Sequence, residues 1–296
     1  MLNILVTGAT GNIGSELTHL LSVHPDVSSV RAATRSPDGD SARLLQALAS
    51  DRVVPTAFDT TNERTVQAAM DGTDVLCLIT PLGDDPVSWQ KTVLDAAGEA
   101  GVRRIVKVSV DAANPDAEDG PAAAHWAGEQ MLRAMDVQQA IVRPTIFMQH
   151  FLIVPGVHSP GEDSFHLPIG DAKVALLDCR DIAALVAEFA TCDVESLPPE
   201  PVHLTGPEAL SGEDIARTLS EAAGRPIDWN ADEGAFVAHS KATGSPLEVK
   251  GVYAAGAKGA FASVSAEPFE GYVGRRPASF AKFASDYRGQ FQSRDG

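Results

Sequence analysis

The opening residues constrain the fold of this chain more than any other stretch. Leu2, Ile4, Leu5 and Val6 form an apolar run of the kind found in a parallel strand covered on both faces. Gly8, Gly11 and Gly14 follow at GxxGxxG spacing, and Ile13, Leu17, Leu20 and Leu21 then line one face of a helix. Glycine at such positions allows a tight turn, lets a pyrophosphate approach the main chain and lets helix and strand pack closely. The free N–H groups and the dipole at the helix start attract phosphate. A glycine triplet alone is weak evidence; the strand before it and the amphipathic helix after it supply the confirming context.

The next signal lies about twenty residues further on, where a dinucleotide site selects its ribose. Val30 to Pro37 reads as a second strand ending at Arg35. An acidic residue there would grip a free 2′-hydroxyl, whereas a guanidinium matches a 2′-phosphate. Arg35, with Ser36 offering a hydroxyl, therefore points to NADP(H). The plainer alternative is a solvated arginine at a strand end.

Strand and helix patterns alternate through the first half. Strands are expected at Val53–Asp59, Asp74–Thr80, Arg104–Val110 and Ala140–Pro144. Helices are expected from Asn62 to Met70, Val87 to Ala100 and about Ala122 to Met135. This rhythm implies parallel pairing through right-handed crossovers. The fold class expected is α/β: a doubly wound, mostly parallel sheet of Rossmann type with a small C-terminal substrate lobe. The core is assigned to residues 1–150, with 174–205 returning to it, and the lobe to 151–173 and 206–296. In the second half, Pro155–Pro168 reads as irregular and Val174–Cys179 as a strand, with Asp181 capping a helix through Ala190. A short strand at 201–206, a capped helix from Ser211 to Gly224 and a last helix from Ala278 to about Tyr287 complete the pattern.

The formal net charge of −17 disfavours non-specific nucleic-acid binding and an anionic membrane surface. No apolar segment is long enough to span a bilayer, and the N-terminal stretch does not read as a signal peptide. Cys77, Cys179 and Cys192 are odd in number and widely spaced, as expected of reduced, buried thiols in a cytoplasmic protein. His150, His158 and His166 recur every eight residues, but no metal-ligand spacing accompanies them, so no metal is expected. Arg275-Arg276 reads most simply as a solvated basic pair.

Taken together, several stretches resemble the NmrA-like branch of the atypical short-chain dehydrogenases/reductases. They are TGATGNIG, the strand-end Arg35, Phe58-Asp59, AAGEAGVRRIVKVSV, His125 with Glu129 and Leu132, IVRPTIFMQHF, LLDCRDIAAL, HLTGPEALSGEDIA and GRRPASFAKFASDY. The resemblance covers most of the chain. It implies an NADP(H)-binding Rossmann protein with a small substrate lobe; some members reduce quinones, imines or specialised metabolites, and others bind the cofactor and regulate. On that analogy Gly8, Thr10, Gly11, Asn12, Ile13 and Gly14 line the pyrophosphate and Arg35 meets the adenosine phosphate. Asp59 sits near the adenine amino group, and Leu78, Ile79 and Thr80 face the nicotinamide ribose, unless Leu78 and Ile79 are plain core.

The wider superfamily uses a Tyr-x-x-x-Lys pair with a serine. This chain lacks the pair and offers His125-Trp126-Ala127-Gly128-Glu129 where it would fall. His125 is a candidate proton donor, with an ordinary pKa of about 6.5, and Glu129 at i+4 is within reach to orient or charge it. Otherwise His125 pins the helix end and Glu129 is an ion-pair partner. Ser109, where the superfamily serine would be, is a candidate hydrogen-bond donor to a substrate oxygen or a backbone cap. Trp126, Phe147, Met148 and Phe151 are the candidate apolar pocket wall, each with core packing as its alternative.

The expected function is NADPH-dependent reduction of a small, largely apolar electrophile: a quinone, imine or iminium, enone or specialised metabolite. The alternatives are an NADP(H)-sensing regulator acting through protein partners and a non-redox enzyme on the same fold. A homodimer is compatible with the sequence, which does not fix the oligomeric state.

Overall fold

The apolar run that opens the chain lies inside a sheet. A computed structural model describes residues 1–292 except 49, 82, 84, 119, 155, 160 and 246–248. The first half alternates strand and helix: β1 (Leu2–Val6), α1 (Asn12–Ser22), β2 (Val27–Thr34), α2 (Asp40–Leu48), β3 (Val53–Ala57) and α3 (Glu63–Met70). Then come β4 (Val75–Ile79), α4 (Pro86–Glu99), β5 (Arg104–Val108), α5 (Gly120–Arg133) and β6 (Gln138–Pro144). The second half holds α6 (His150–Ile153), β7 (Ser164–His166), α7 (Cys179–Thr191), β8 (Val202–Leu204), α8 (Gly212–Ala223) and β9 (Asp228–Asn230). Helices α9 (Glu233–Thr243), α10 (Val249–Ala257), α11 (Glu267–Val273), α12 (Phe280–Asp286) and α13 (Arg288–Phe291) follow.

Seven strands pair in the order β3-β2-β1-β4-β5-β6-β8. The pairings of β1 through β6 are parallel; Ile4 stands between Val30 and Val75. The strand order reverses direction between β1 and β4, so a crevice opens at the carboxyl ends of those two strands, where doubly wound sheets bind ligands. Thr7 ties these ends together: its Oγ1 donates to the Ile79 carbonyl (2.9 Å) and accepts from the Ile79 N–H (2.8 Å).

The chain forms two compact units. Met1–Pro144 and Ile182–His203 make the first; Thr145–Asp181 and the residues from Leu204 onward make the second. In the first, Leu5, Leu76, Leu78, Ile105 and Ile141 of the sheet pack with Val66, Met70, Leu94 and Leu132 of the helices. The core of the second is aromatic. Phe151 packs edge-on against Phe165 and Phe280, with centroids 5.3 and 5.4 Å away.

The capping signal expected on α8 is present, and α4 carries a cap of its own. Asp85 caps α4 by accepting from the Ser88 N–H, and Ser211 and Asp214 form a capping box on α8. The second unit departs most from the expected pattern. Val174–Cys179 is not a strand; only isolated bridges, Phe147 with Leu177 and Val174 with Leu210, occur there. The irregular 155–168 stretch contains β7, which pairs in parallel with β9, more than sixty residues away. Three-residue strands are too short for side-chain alternation to reveal them. The capping role expected of Asp181 belongs to Asp178, whose Oδ1 accepts from the Arg180 N–H (2.9 Å). Asp181 is buried, accepts from the Ala278 N–H and pairs with Arg275 at 2.6 Å. Arg275, over the Phe269 ring, is exposed as expected of the basic pair and also anchors this buried carboxylate.

The cysteines are free; Cys77 and Cys179 are buried and Cys192 is half-buried. Burial pushes the Cys77 thiol up to about 12. Among the described residues, no helix is long and apolar enough to cross a membrane.

Candidate functional site

The glycine loop is a cradle with little room for a side chain at Gly8 and none at Gly14. Gly8 has φ +62°, and a Cβ there would lie 3.2 Å from the Ile79 carbonyl oxygen. A Cβ on Gly14 would overlap the Gly8 carbonyl oxygen and come within 2.7 Å of its carbon and 2.8 Å of the Ala9 Cα. Thr10, Gly11 and Asn12 are exposed, while Ile13 and Gly14 are buried and offer only main chain. Helix α1 starts at this loop with no side-chain cap and no acidic residue in its first turn. Its leading N–H groups thus point at the site without an internal counter-charge, which favours an anion.

Arg35 is exposed just past β2 and makes no hydrogen bond or ion pair among the described residues. It lies near enough to Asp59 to help hold that carboxyl below its ordinary range, although hydrogen bonds from Thr61 do most of this. The Asp59 carboxylate accepts from the Thr61 N–H (3.0 Å) and hydroxyl (2.8 Å), so much of its capacity shapes the turn before α3. Of the β4 residues, Leu78 is fully buried in the core, which limits its offer to main chain. Ile79 and Thr80 are partly exposed, and the Thr80 Oγ1 is enclosed without a partner among the described residues. An uncapped cradle that a Cβ would fill, an uncommitted guanidinium and an orphaned hydroxyl fit a phosphorylated dinucleotide.

Beside this cradle, in the same unit, lies a buried polar network that redistributes the expected roles. Glu129 does not meet His125. It is fully buried and takes a bidentate pair of bonds from Arg143, Nε at 2.9 Å and Nη2 at 2.5 Å. The Ser109 hydroxyl donates to the same carboxylate at 2.5 Å. Ser109 therefore has its proton committed and can only accept from a ligand, contrary to the donor role expected of it. A buried carboxylate goes to the group that neutralises it best, and a guanidinium fork outcompetes an imidazole.

The neighbour of His125 is Lys107, whose Nζ lies 3.3 Å from Nδ1. Burial, with the Lys107 charge second, pushes His125 down to about 3. An imidazole so placed is neutral at pH 7, which corrects the expectation of a charged proton donor. Burial likewise pulls Lys107 down to about 7, against the opposing pull of Glu129. No role for Lys107 is evident from its local pattern. The only trace is a cation flanked by apolar residues late in β5, a strand that opens on Arg104 and whose residues are all buried.

The four apolar candidates separate. Met148 and Phe151 are core of the second unit, at 0% and 1% exposure, and so are not wall residues by their side chains. Phe147 is half-buried, edge-on to His150. Trp126, in the first unit, lies under the Arg143 guanidinium at 5.8 Å. The three spaced histidines have separate partners: His150 meets the Tyr253 hydroxyl, His158 the Phe291 ring and His166 the His239 ring.

Two buried imidazoles, His150 and His125, make stability acid-sensitive. His150 is pushed down to about 4 by burial, and His125 to about 3. Below the unfolded value of about 6.5, the unfolded chain takes up protons that the folded chain refuses, so stability falls as pH falls. Urea titrations between about pH 6.5 and about pH 4.5 should show a loss of about 1 kcal/mol per pH unit for each histidine. His125→Gln should remove its share; an unchanged slope would show that its pKa is ordinary.

The model for the NmrA-like family matches residues 2–238. An NAD(P)H azoreductase from Xenophilus azovorans is 36% identical over 233 residues, covering 77% of this chain and 76% of that protein. A (4-alkanoyl-5-oxo-2,5-dihydrofuran-3-yl)methyl phosphate reductase from Streptomyces griseus is 34% identical over 233 residues, 76% and 75% of the two chains. Among solved structures, an NADPH-dependent quinone oxidoreductase from Escherichia coli complexed with NADPH superposes with a TM-score of 0.80 at 23% identity, covering 96% and 99%. With a family match over most of its length and relatives above 30% identity, the chain belongs to the NmrA-like family.

Proposed function

We propose that this protein is an NADP(H)-dependent oxidoreductase that reduces a small, largely apolar electrophile. The observation that carries the reading is the cradle at the start of α1, where Gly14 has no room for a side chain, with the free Arg35 guanidinium past the end of β2. The main-chain N–H groups after Gly11 would hold the pyrophosphate, Arg35 the 2′-phosphate and the Thr80 hydroxyl a ribose or amide group. When bound, NADPH supplies the hydride. The protein's share is to orient the acceptor and stabilise the charge that develops on it.

Relatives named as reductases of azo compounds and of a dihydrofuranone phosphate support a conjugated or otherwise activated acceptor. With a neutral imidazole at His125 and a committed Ser109, the described residues offer no strong acid here. That suits acceptors electrophilic enough to take hydride without prior protonation: quinones, iminium ions, enones and azo groups.

Stopped-flow oxidation of bound NADPH across a panel of these four acceptor types tests the reading. At least one should be reduced at a rate above the background oxidation. Arg35→Asp should weaken NADPH binding by about tenfold or more, the loss of a charge-assisted bidentate contact, while sparing NADH. NADPH bound tightly but oxidised by none of the panel would favour a cofactor-sensing regulator instead.

A further inference from the structure

We infer that Lys107 is a positioning residue: from the middle of β5 its Nζ donates to Nδ1 of His125 and fixes that imidazole as the Nε2–H tautomer, a neutral hydrogen-bond donor. The inference deepens the reductase reading, on which the donor's use depends.

The hydrogen bonds leave little freedom. Lys107 has no exposed surface, and its Cα lies in register with Leu78 on β4 and Ile141 on β6. A lysine there must satisfy its Nζ inside the protein. One partner is Gln90 Oε1 on α4, at 2.5 Å. That amide is oriented without ambiguity, because its Nε2 donates both hydrogens, to the Pro86 and Ala124 carbonyls at 3.0 Å each. Gln90 therefore presents its oxygen, and Lys107 must donate. Gly128 on α5 leaves the space: a Cβ there would overlap Oε1 and sit 2.6 Å from Cδ.

The second partner is His125 Nδ1 on α5. Below about pH 7 Lys107 is the ammonium, which has only donors, so there Nδ1 facing it must be the bare, accepting nitrogen and the ring proton must sit on Nε2. The charged and titratable groups around the pair agree with this assignment. Glu129, on the same helix one turn on, favours the ammonium. Its own charge is balanced by Arg143 at the end of β6, and Ser109 past β5 donates to it. No carboxylate accepts from His125 among the described residues, so nothing competes for a proton on Nδ1. A neutral N–H held in one direction can stabilise negative charge growing on an acceptor heteroatom without giving up its proton.

The direct test needs no cofactor. Protein labelled with [15N]histidine is followed by two-bond 1H–15N correlation spectra, His125 being assigned by its loss in His125→Gln. Between about pH 5 and about pH 6.5, where free histidine titrates, the wild type should show a fixed Nε2–H pattern with no change. In Lys107→Met, which keeps the stem and removes the donor, the ring should exchange between tautomers and its titration should move up toward the ordinary range. An Nδ1–H pattern in the wild type overturns the inference outright, so it stays testable even if the variant does not fold. An identical pattern and titration in both proteins overturns it as well.

Turnover gives an independent reading. With an acceptor that the wild type reduces, Lys107→Met should lower kcat about tenfold or more, the usual scale for misplacing one donor, and leave the NADPH Kd unchanged. Unchanged kcat would overturn the positioning role. A wild type that reduces no acceptor would overturn the reductase reading alone, because the spectra report the tautomer without turnover.

Discussion

Gly14→Ala is expected to lower NADPH affinity by about a hundredfold while leaving most of the fold intact. The added methyl would overlap the Gly8 carbonyl oxygen and crowd the Ala9 Cα. Those atoms are main chain, so no side-chain rotation relieves the clash. Forcing a methyl into a filled site costs about 3 kcal/mol, and about 1.4 kcal/mol is a factor of ten in binding. The strain is relieved most easily by shifting α1 away from the loop, which pulls the helix start off the phosphates. Titration calorimetry with NADPH would measure the loss, with far-UV circular dichroism as the control for folding. Near-normal affinity would show that the cradle is not where the pyrophosphate sits.

The second large effect is expected at Glu129. Glu129→Ala should destabilise the protein by about 3 to 5 kcal/mol, the usual result of removing one partner from a buried ion pair. Arg143, only 12% exposed, would be left as an uncompensated charge, and the Ser109 hydroxyl would lose its acceptor. At about 2 to 4 °C per kcal/mol for a chain of this size, the melting temperature should drop by roughly 10 °C. A double variant, Glu129→Gln with Arg143→Met, should recover much of the loss, because the stranded cation is then gone. If the single variant melts within about 1 °C of wild type, the pair is solvated and the network is looser than its geometry implies.

Much of this site is legible in the amino-acid sequence. The turn after β1 must be glycine-rich because helix and strand meet within van der Waals distance, and the spacing of Gly8, Gly11 and Gly14 states that directly. Arg35 is legible for a similar reason: its position relative to the loop follows from the length of one crossover helix and one strand. The pairing of polar groups inside the first unit is not legible in the same way. Spacing at i and i+4 on α5 permits a bond between His125 and Glu129, yet each goes elsewhere, to Lys107 on β5 and to Arg143 on β6. Phe151 and Met148 follow the same logic. Their place just after β6 suggests a pocket wall, but the aromatic cluster with Phe165 and Phe280 draws Phe151 into the core of the second unit.

The sequence by itself determined the strands and most of the helices of the first half, their parallel pairing through β6 and the glycine turn after β1, because these depend on backbone conformation and on apolar periodicity, which are local. Only the tertiary structure decided which buried charge meets which. That choice is made by electrostatics and desolvation between residues brought together from different strands and helices, where the most complete neutralisation wins over the nearest neighbour in the chain.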